Sequence, residues 1–335
     1  MSWAKPKTCT TFALPNNSRK KPMNTQTILG AGGAIGRPLA LEIRKFTDKV
    51  RLVSRNPKKM HPGDQLFSAD LKNAQAVMDA VKGSEVVYLT AGLTYTVKVW
   101  QAQWPVIMAN VIAACKAHGA KLVFFDNIYM YSGEHLDPIT EDLPIAPPSR
   151  KGAVRARIAQ MLLEAHASGD IEALIARSAD FYGPGTGPVS VLNELVFGKI
   201  SQGKTATWLG NPKCRHSFTY VPDAVQATAL LGNTPDAYGE VWHLPTHTDP
   251  PKGQEWVEEA ARQCGTPPKL RSVGRGMLRF LGLFVPIMGQ LVEMMYQYEQ
   301  DYVFSSAKYD KRFGPMATTY QDGIKAVLKS DFKGS

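Results

Sequence analysis

Two stretches of the 335-residue sequence combine residue types and spacings that can do chemistry. In GAGGAIG, the residues Gly30, Gly33 and Gly36 recur at every third position between the apolar run TIL and the helical pattern RPLALEIRKF. Glycine there lets the backbone approach a pyrophosphate, whose charge then meets the N-terminal end of the following helix. In SRKGAVRARIAQML, residues 149–162, the opening turns of a helix carry Arg150, Lys151, Arg155 and Arg157 and no acid. A helix start already bears about half a positive charge, so cations there are unfavourable unless something negative lies nearby. Lys151 and Arg155, four apart, share one helix face and point together at whatever that face meets. A third feature ends the run VRLVSRNPKK, where Ser54 and Arg55 have no acid beside them. An acid in that place binds a ribose 2′-hydroxyl, whereas an arginine accommodates a 2′-phosphate through paired N–H donors. These residues therefore favour NADP, with NAD the less expected cofactor.

Such side chains need a frame to hold them. From Thr27 onward short apolar runs alternate with helical periods: TILG, RPLALEIRKF, VRLVS, NAQAVMDAVKG, EVVYLTA, WPVIMANVIAACKAHG and KLVFFDN, with further strand candidates at 171–179 and 240–246. This order predicts an α/β fold, a Rossmann-type doubly wound parallel sheet with helices on both faces. After about residue 180 the alternation breaks into Gly/Pro loops and isolated helices. The expected organisation is a cofactor-binding core over 23–180 and a smaller, mainly substrate-binding region over 181–335, with the strand near 240–246 returning to the core.

Composition bounds the function. At 44% hydrophobic residues the chain can bury a substantial core as a soluble globular protein. Of the formal charge of +10, five units come from Lys5, Lys7, Arg19, Lys20 and Lys21. Those lie in residues 1–22, which hold three prolines and no acid, and which read as a disordered basic tail outside the fold; Met23 would be a natural start. The remaining excess is ordinary, so no nucleic-acid partner is expected. Cys9, Cys115, Cys214 and Cys264 form no C-x-x-C pair, which signals neither a disulfide framework nor a zinc site and fits a reducing cytoplasm. His216, His243 and His247 lack metal-ligand spacing, and no metal is expected. The apolar stretch 277–295 is interrupted by Arg279, Pro286 and Glu293 and is too short for a membrane span. It reads as a helix pair lining a pocket, with peripheral contact at a membrane surface left open.

Over roughly residues 27–245 the chain resembles the extended short-chain dehydrogenase/reductase superfamily, in its NAD-dependent epimerase/dehydratase branch. Gly30, Gly33 and Gly36 fit its glycine motif, and Asp70 and Leu71 in SADL fit the aspartate after the third strand that contacts adenine. Thr90, Ala91 and Gly92 fit the loop after the fourth strand, and Asn110 fits the helix asparagine. RSADFYGPG at 177–185 and RHSFTYVPDAVQA at 215–227 look like two further family signatures. The resemblance implies a cofactor site built from these glycines and loops together with Ala34, Ile35, Ser54 and Arg55. On the substrate side the candidates are Tyr95, Tyr131, Tyr182 and Arg215.

The chemistry departs from the family pattern. Members place a serine or threonine after the fifth strand and Y-x-x-x-K on the next helix. Here Asn127 takes the serine position, and 24 residues on the motif reads Lys151-x-x-x-Arg155. The resemblance then implies that ribose hydroxyls, phosphate charge or a substrate oxyanion supplies the negative partner of both cations. The expected function is an NADP-dependent oxidoreductase acting on a small or medium, fairly apolar carbonyl or hydroxy compound. Lys151 is its expected proton donor or oxyanion stabiliser, tuned by Arg155, and Asn127 orients the substrate oxygen. Tyr129 is the second candidate acid: if the fifth strand persists, alternation sends Asn127, Tyr129 and Tyr131 to one side. A sugar-nucleotide epimerase or dehydratase, and a non-catalytic NADP-binding redox sensor or scaffold, are the alternative readings. The expected partner is a small-molecule substrate, with a homodimer left open.

Overall fold

The computed structural model describes residues 24–332 apart from residue 135, so the expected tail over 1–22 and the start at Met23 lie outside the described residues. Seven strands form one parallel sheet. They are β1 (Thr25–Leu29), β2 (Val50–Ser54), β3 (Gln65–Ser68), β4 (Ser84–Leu89), β5 (Lys121–Asp126), β6 (Ala173–Arg177) and, last in sequence, Val241–His243. Their spatial order runs from Val241–His243 through β6, β5, β4, β1 and β2 to β3. The direction of winding therefore reverses between β1 and β4, and a doubly wound sheet binds its ligand outside the strand ends at such a reversal. Central strands read as unbroken apolar runs because both faces are covered: Ile28, Leu29, Leu52, Val53, Val87 and Leu89 are all fully buried.

On one face lie α2 (Ala74–Val81), α3 (Val97–His118) and α4 (Arg150–Ala167), joined by a core that includes Val77, Trp104, Val111, Ile158 and Leu162. On the other lie α1 (Gly36–Glu42) and the helix Val221–Gly232, packed through Leu39, Ile43, Ala224 and Leu231. So more of the chain after residue 181 re-enters the sheet layers than the one strand anticipated. The rest forms a cap around Trp208, Trp256, Phe197 and Ile324.

Two local results differ from the sequence expectation and both shape the site. Helix α3 begins at Val97 rather than near Trp104, because the Thr96 hydroxyl accepts Val99 N–H at 3.3 Å and caps the helix well before the boundary that Pro105 suggests. Trp100 and Trp104 thereby meet edge-on, one turn apart on the same helix face. Strand β5 ends at Asp126, so the period-two alternation proposed for residues 126–131 does not operate. Instead the Asp126 carboxylate accepts Asn127 N–H at 2.8 Å and the Asn127 side-chain oxygen accepts Tyr129 N–H at 3.2 Å, turning the chain.

Candidate active site

A cavity of about 1500 Å³ opens at the sheet reversal and runs from the glycine-rich turn to the C-terminal cap. At its first end the turn after β1 is pressed against the β4 loop. Gly30 has φ +102°, and a Cβ there would stand 2.5 Å from the Ala91 backbone. A Cβ on Gly36 would meet the Gly30 carbonyl oxygen at 2.6 Å, so the start of α1 sits directly on the turn. Gly33, Ala34 and Ile35 complete this wall, with Thr90, Ala91 and Gly92 opposite. Asp70 and Leu71 border the same end, where the Asn110 side chain donates to Leu71 O at 3.0 Å and pins α3 to the loop.

A dinucleotide fits these residues. Glycine leaves the space a phosphate backbone needs. The Ser54 hydroxyl, at the end of β2, is buried on this wall with no hydrogen-bond partner. Beside it Arg55 is exposed and forms no ion pair among the described residues. A buried hydroxyl and an unpaired guanidinium are groups that a ribose or its phosphate would satisfy.

Further in, the walls turn aromatic. Tyr129 stacks on Trp100 with ring centroids 6.4 Å apart, and Tyr95 meets Trp100 edge-on at 5.5 Å. The Tyr129 hydroxyl donates to Asp180 Oδ1 at 3.3 Å, and the Tyr298 hydroxyl donates to Asp180 Oδ2 at 2.7 Å. All of these residues line the cavity. Burial, with the Tyr95 phenol and Asp180 carboxylate adding to it, pushes the Tyr129 hydroxyl well above the ordinary phenol range. Tyr129 therefore holds its proton at neutral pH.

Lys151 and Arg155 find their negative partners within the protein. Glu293, from the cap, accepts Arg150 N–H at 3.1 Å and the Lys151 ammonium at 2.8 Å, and Lys151 also donates to Gln290 O at 2.8 Å. Lys151 is fully buried, lies 4.5 Å over the Tyr95 ring and does not line the cavity. Desolvation lowers its pKa despite the Glu293 carboxylate, which opposes the shift. Arg155 does reach the cavity wall, yet its Nε donates to buried Asp126 at 2.7 Å and its guanidinium rests 4.5 Å over Trp104. Ser149 caps the helix by accepting Gly152 N–H at 2.9 Å, and Gly152 fits because a Cβ would stand 2.2 Å from Tyr129 O. The first turn of α4 thus braces the Tyr129 backbone.

Of the other expected residues, Tyr95 and Asn127 line the cavity, whereas Tyr131, Tyr182 and Arg215 do not. Tyr131 is buried beneath it, accepting from Arg177 and bonding His243 at 2.8 Å each. Tyr182 is enclosed in the cap core, where a Cβ on Gly323 would touch its hydroxyl. Arg215 is held at the surface between Asp137 and Asp301. Trp100, Glu293 and Tyr298 were not anticipated as site residues. Only the folded cap brings the last two against α4 and Asp180, and no motif marks them.

Sheet order, glycine turn and cavity define a Rossmann-type nicotinamide-dinucleotide enzyme. The chain belongs to the NAD dependent epimerase/dehydratase family, whose model matches residues 27–244. It is an NAD(P)-dependent enzyme of the extended short-chain dehydrogenase/reductase type. A 3-diazoavenalumate denitrifying reductase from a Streptomyces species is 26% identical over 272 residues, 77% of this chain and 87% of that protein. The Arabidopsis thaliana 3beta-hydroxysteroid-dehydrogenase/decarboxylase isoform 1 is 26% identical over 185 residues, 53% of this chain and 42% of that one. Among solved structures, the UDP-glucose 4-epimerase of Thermus thermophilus in complex with NAD superimposes with a TM-score of 0.75 at 18% identity, covering 93% of this chain and 99% of that chain. Among the described residues no His/Cys/Asp/Glu group could hold a metal ion, and no helix is long and apolar enough to cross a membrane.

Proposed function

We propose that the protein is an NADP-dependent oxidoreductase for a small or medium, fairly apolar carbonyl or hydroxy substrate, with Tyr129 in place of Lys151 as the proton donor. The observation that carries this reading is the Tyr129–Asp180–Tyr298 cluster on the cavity wall, set against a Lys151 turned away into Glu293 and Gln290. The nicotinamide, when bound, supplies or takes up a hydride at the substrate carbon. In the reducing direction Tyr129 gives its phenolic proton to the carbonyl oxygen, so the carbonyl gains one hydride and one proton. Asp180 orients the phenol, Asn127 fixes its backbone, and Trp100 keeps the ring in place. Arg55 and Ser54 are the groups that support NADP over NAD.

Beyond Tyr298 the walls are Leu209, Leu278, Met288, Leu291, Met294 and Met295, which supports an apolar substrate body. At the far end stand Lys199 and Arg271. Those two cations favour a substrate with an anionic group and sustain a sugar-nucleotide substrate as the second reading. Single-turnover oxidation of NADPH with a panel of apolar aldehydes and ketones, run beside UDP-sugars, tests both. Turnover of an apolar carbonyl that collapses in Tyr129→Phe and persists in Lys151→Met is the expected result. Epimerisation of a UDP-sugar without net NADPH consumption would replace it with the second reading, and tight NADPH binding with no turnover of either class would leave a redox sensor.

A further inference from the structure

Among the described residues, six of the eleven exposed large apolar side chains gather in one place. Met277, Phe280, Leu283, Phe284, Val285 and Ile287, between 43% and 77% exposed, belong to the hairpin made by the helices Arg275–Leu281 and Pro286–Leu291. The five others are scattered along the sequence, as single exposed apolar residues normally are. The hairpin is a compact unit: a Cβ on Gly282 would stand 2.8 Å from Gly289 Cα. Its inner side, through Leu278, Leu281, Met288, Leu291 and the partly exposed Ile287, forms part of the cavity wall. A helix pair that merely covers a cavity needs one apolar face, and this pair has two.

Charge indicates what the outer face meets. Residues 260–292 contain Arg262, Lys269, Arg271, Arg275 and Arg279 and no Asp or Glu. Arg262 and Arg275 are paired with Glu259 and Glu299, whereas Lys269, Arg271 and Arg279 are exposed and form no ion pair among the described residues. An apolar tip that carries the unpaired Arg279 and belongs to a stretch without an acid matches the acyl boundary and anionic headgroups of a lipid surface. A second copy of the chain fits worse, because a two-fold contact through this face would bring the same cations against each other.

We propose that the hairpin is a membrane-docking tip, seating Phe280, Leu283 and Phe284 in the surface of an anionic bilayer. Since its inner face walls the cavity, an apolar substrate would pass between bilayer and active site along the hairpin. Docking itself does not depend on which reaction the cavity runs, so it is tested without turnover. The full chain is sedimented with vesicles of phosphatidylcholine and phosphatidylserine, and with phosphatidylcholine alone. Binding to the mixed vesicles, weakened by salt and reduced about tenfold or more by Phe280→Ser/Phe284→Ser, supports the proposal. Neither phenylalanine lines the cavity, so the variant should bind NADPH as the wild type does. Leu283→Asp, at the most exposed position, provides an independent variant, and unchanged melting temperatures show that both are folded. No binding to the mixed vesicles, binding that both variants retain, or a dimer that both variants dissolve would each overturn it; the last would assign this face to a second copy.

Discussion

The Lys151 ammonium lies 2.8 Å from the Glu293 carboxylate across 142 residues of sequence, and the same carboxylate accepts the first N–H of α4. One side chain thus answers two of the misplaced cations, Arg150 and Lys151, together with the open N–H at the helix start, and ties the cap to the Rossmann core. Removing one partner of a buried ion pair leaves the other uncompensated, at a cost of about 3 kcal/mol or more. We therefore expect Lys151→Met to lower the urea midpoint markedly, with Lys151→Met/Glu293→Gln recovering part of the loss. A Lys151→Met protein as stable as the wild type would show that the pair does not hold the cap.

Tyr129→Phe keeps the ring on Trp100 and removes only the hydroxyl. The hydride-transfer step should slow by about 100-fold or more with NADPH affinity nearly unchanged, the loss expected for a general acid. A raised phenol pKa also fixes the pH profile: the donor must be protonated, so the reduction rate should stay level up to the usual phenol value of about 10 and fall only above it. A rate that drops between neutrality and a pH of about 9 would point to a different acid.

The proposed preference for NADP rests on Arg55. With a charge-assisted contact to a 2′-phosphate worth roughly 1.5–3 kcal/mol, Arg55→Ala should weaken NADPH binding by about ten-fold or more and leave NADH binding little altered. Calorimetric titration of both cofactors against both proteins measures this. Equal wild-type affinities would remove the assignment.

His243 gives the fold a pH limit of its own. Burial, opposed by a bond to Ser305 O, lowers its pKa to about 3. The unfolded chain, with a histidine near 6.5, binds this proton more readily than the folded one, so stability is full above about 6.5 and declines as pH falls towards 3. The slope is about 1.4 kcal/mol per pH unit at most. Urea midpoints between about pH 6.5 and 5, above most carboxylate titration, should fall in the wild type and fall less in His243→Gln.

The sheet was legible because strands buried on both faces read as unbroken apolar runs, and the glycine turn because only glycine fits between Ala91 and α1. The start of α3 was not, since Lys98, Gln101 and Gln103 dilute its apolar period and Pro105 looks like a boundary. Nor was the end of β5 visible: KLVFFDNIYMY keeps its β-forming character past Asp126, whose carboxylate is engaged by Arg155, Arg177 and the Asn127 N–H. The motif position of Lys151 was readable while its partner was not, because a pairing across most of the chain is set by where the cap lands. The same holds for Tyr298 on Asp180. Sequence pattern reports local geometry and alternating burial, and the active-site polar contacts here are neither.

Trp100 and Trp104 stand in the cavity wall with both indole N–H groups unbonded, Trp100 stacked on the proposed proton donor. Indole emission overlaps the absorption of a reduced nicotinamide and fades steeply with the separation of the two rings. The enzyme thus carries an intrinsic optical gauge. Excited in the ultraviolet, it should dim as NADPH enters and brighten as the cofactor is oxidised, so occupancy and turnover can be followed in one cuvette without a label.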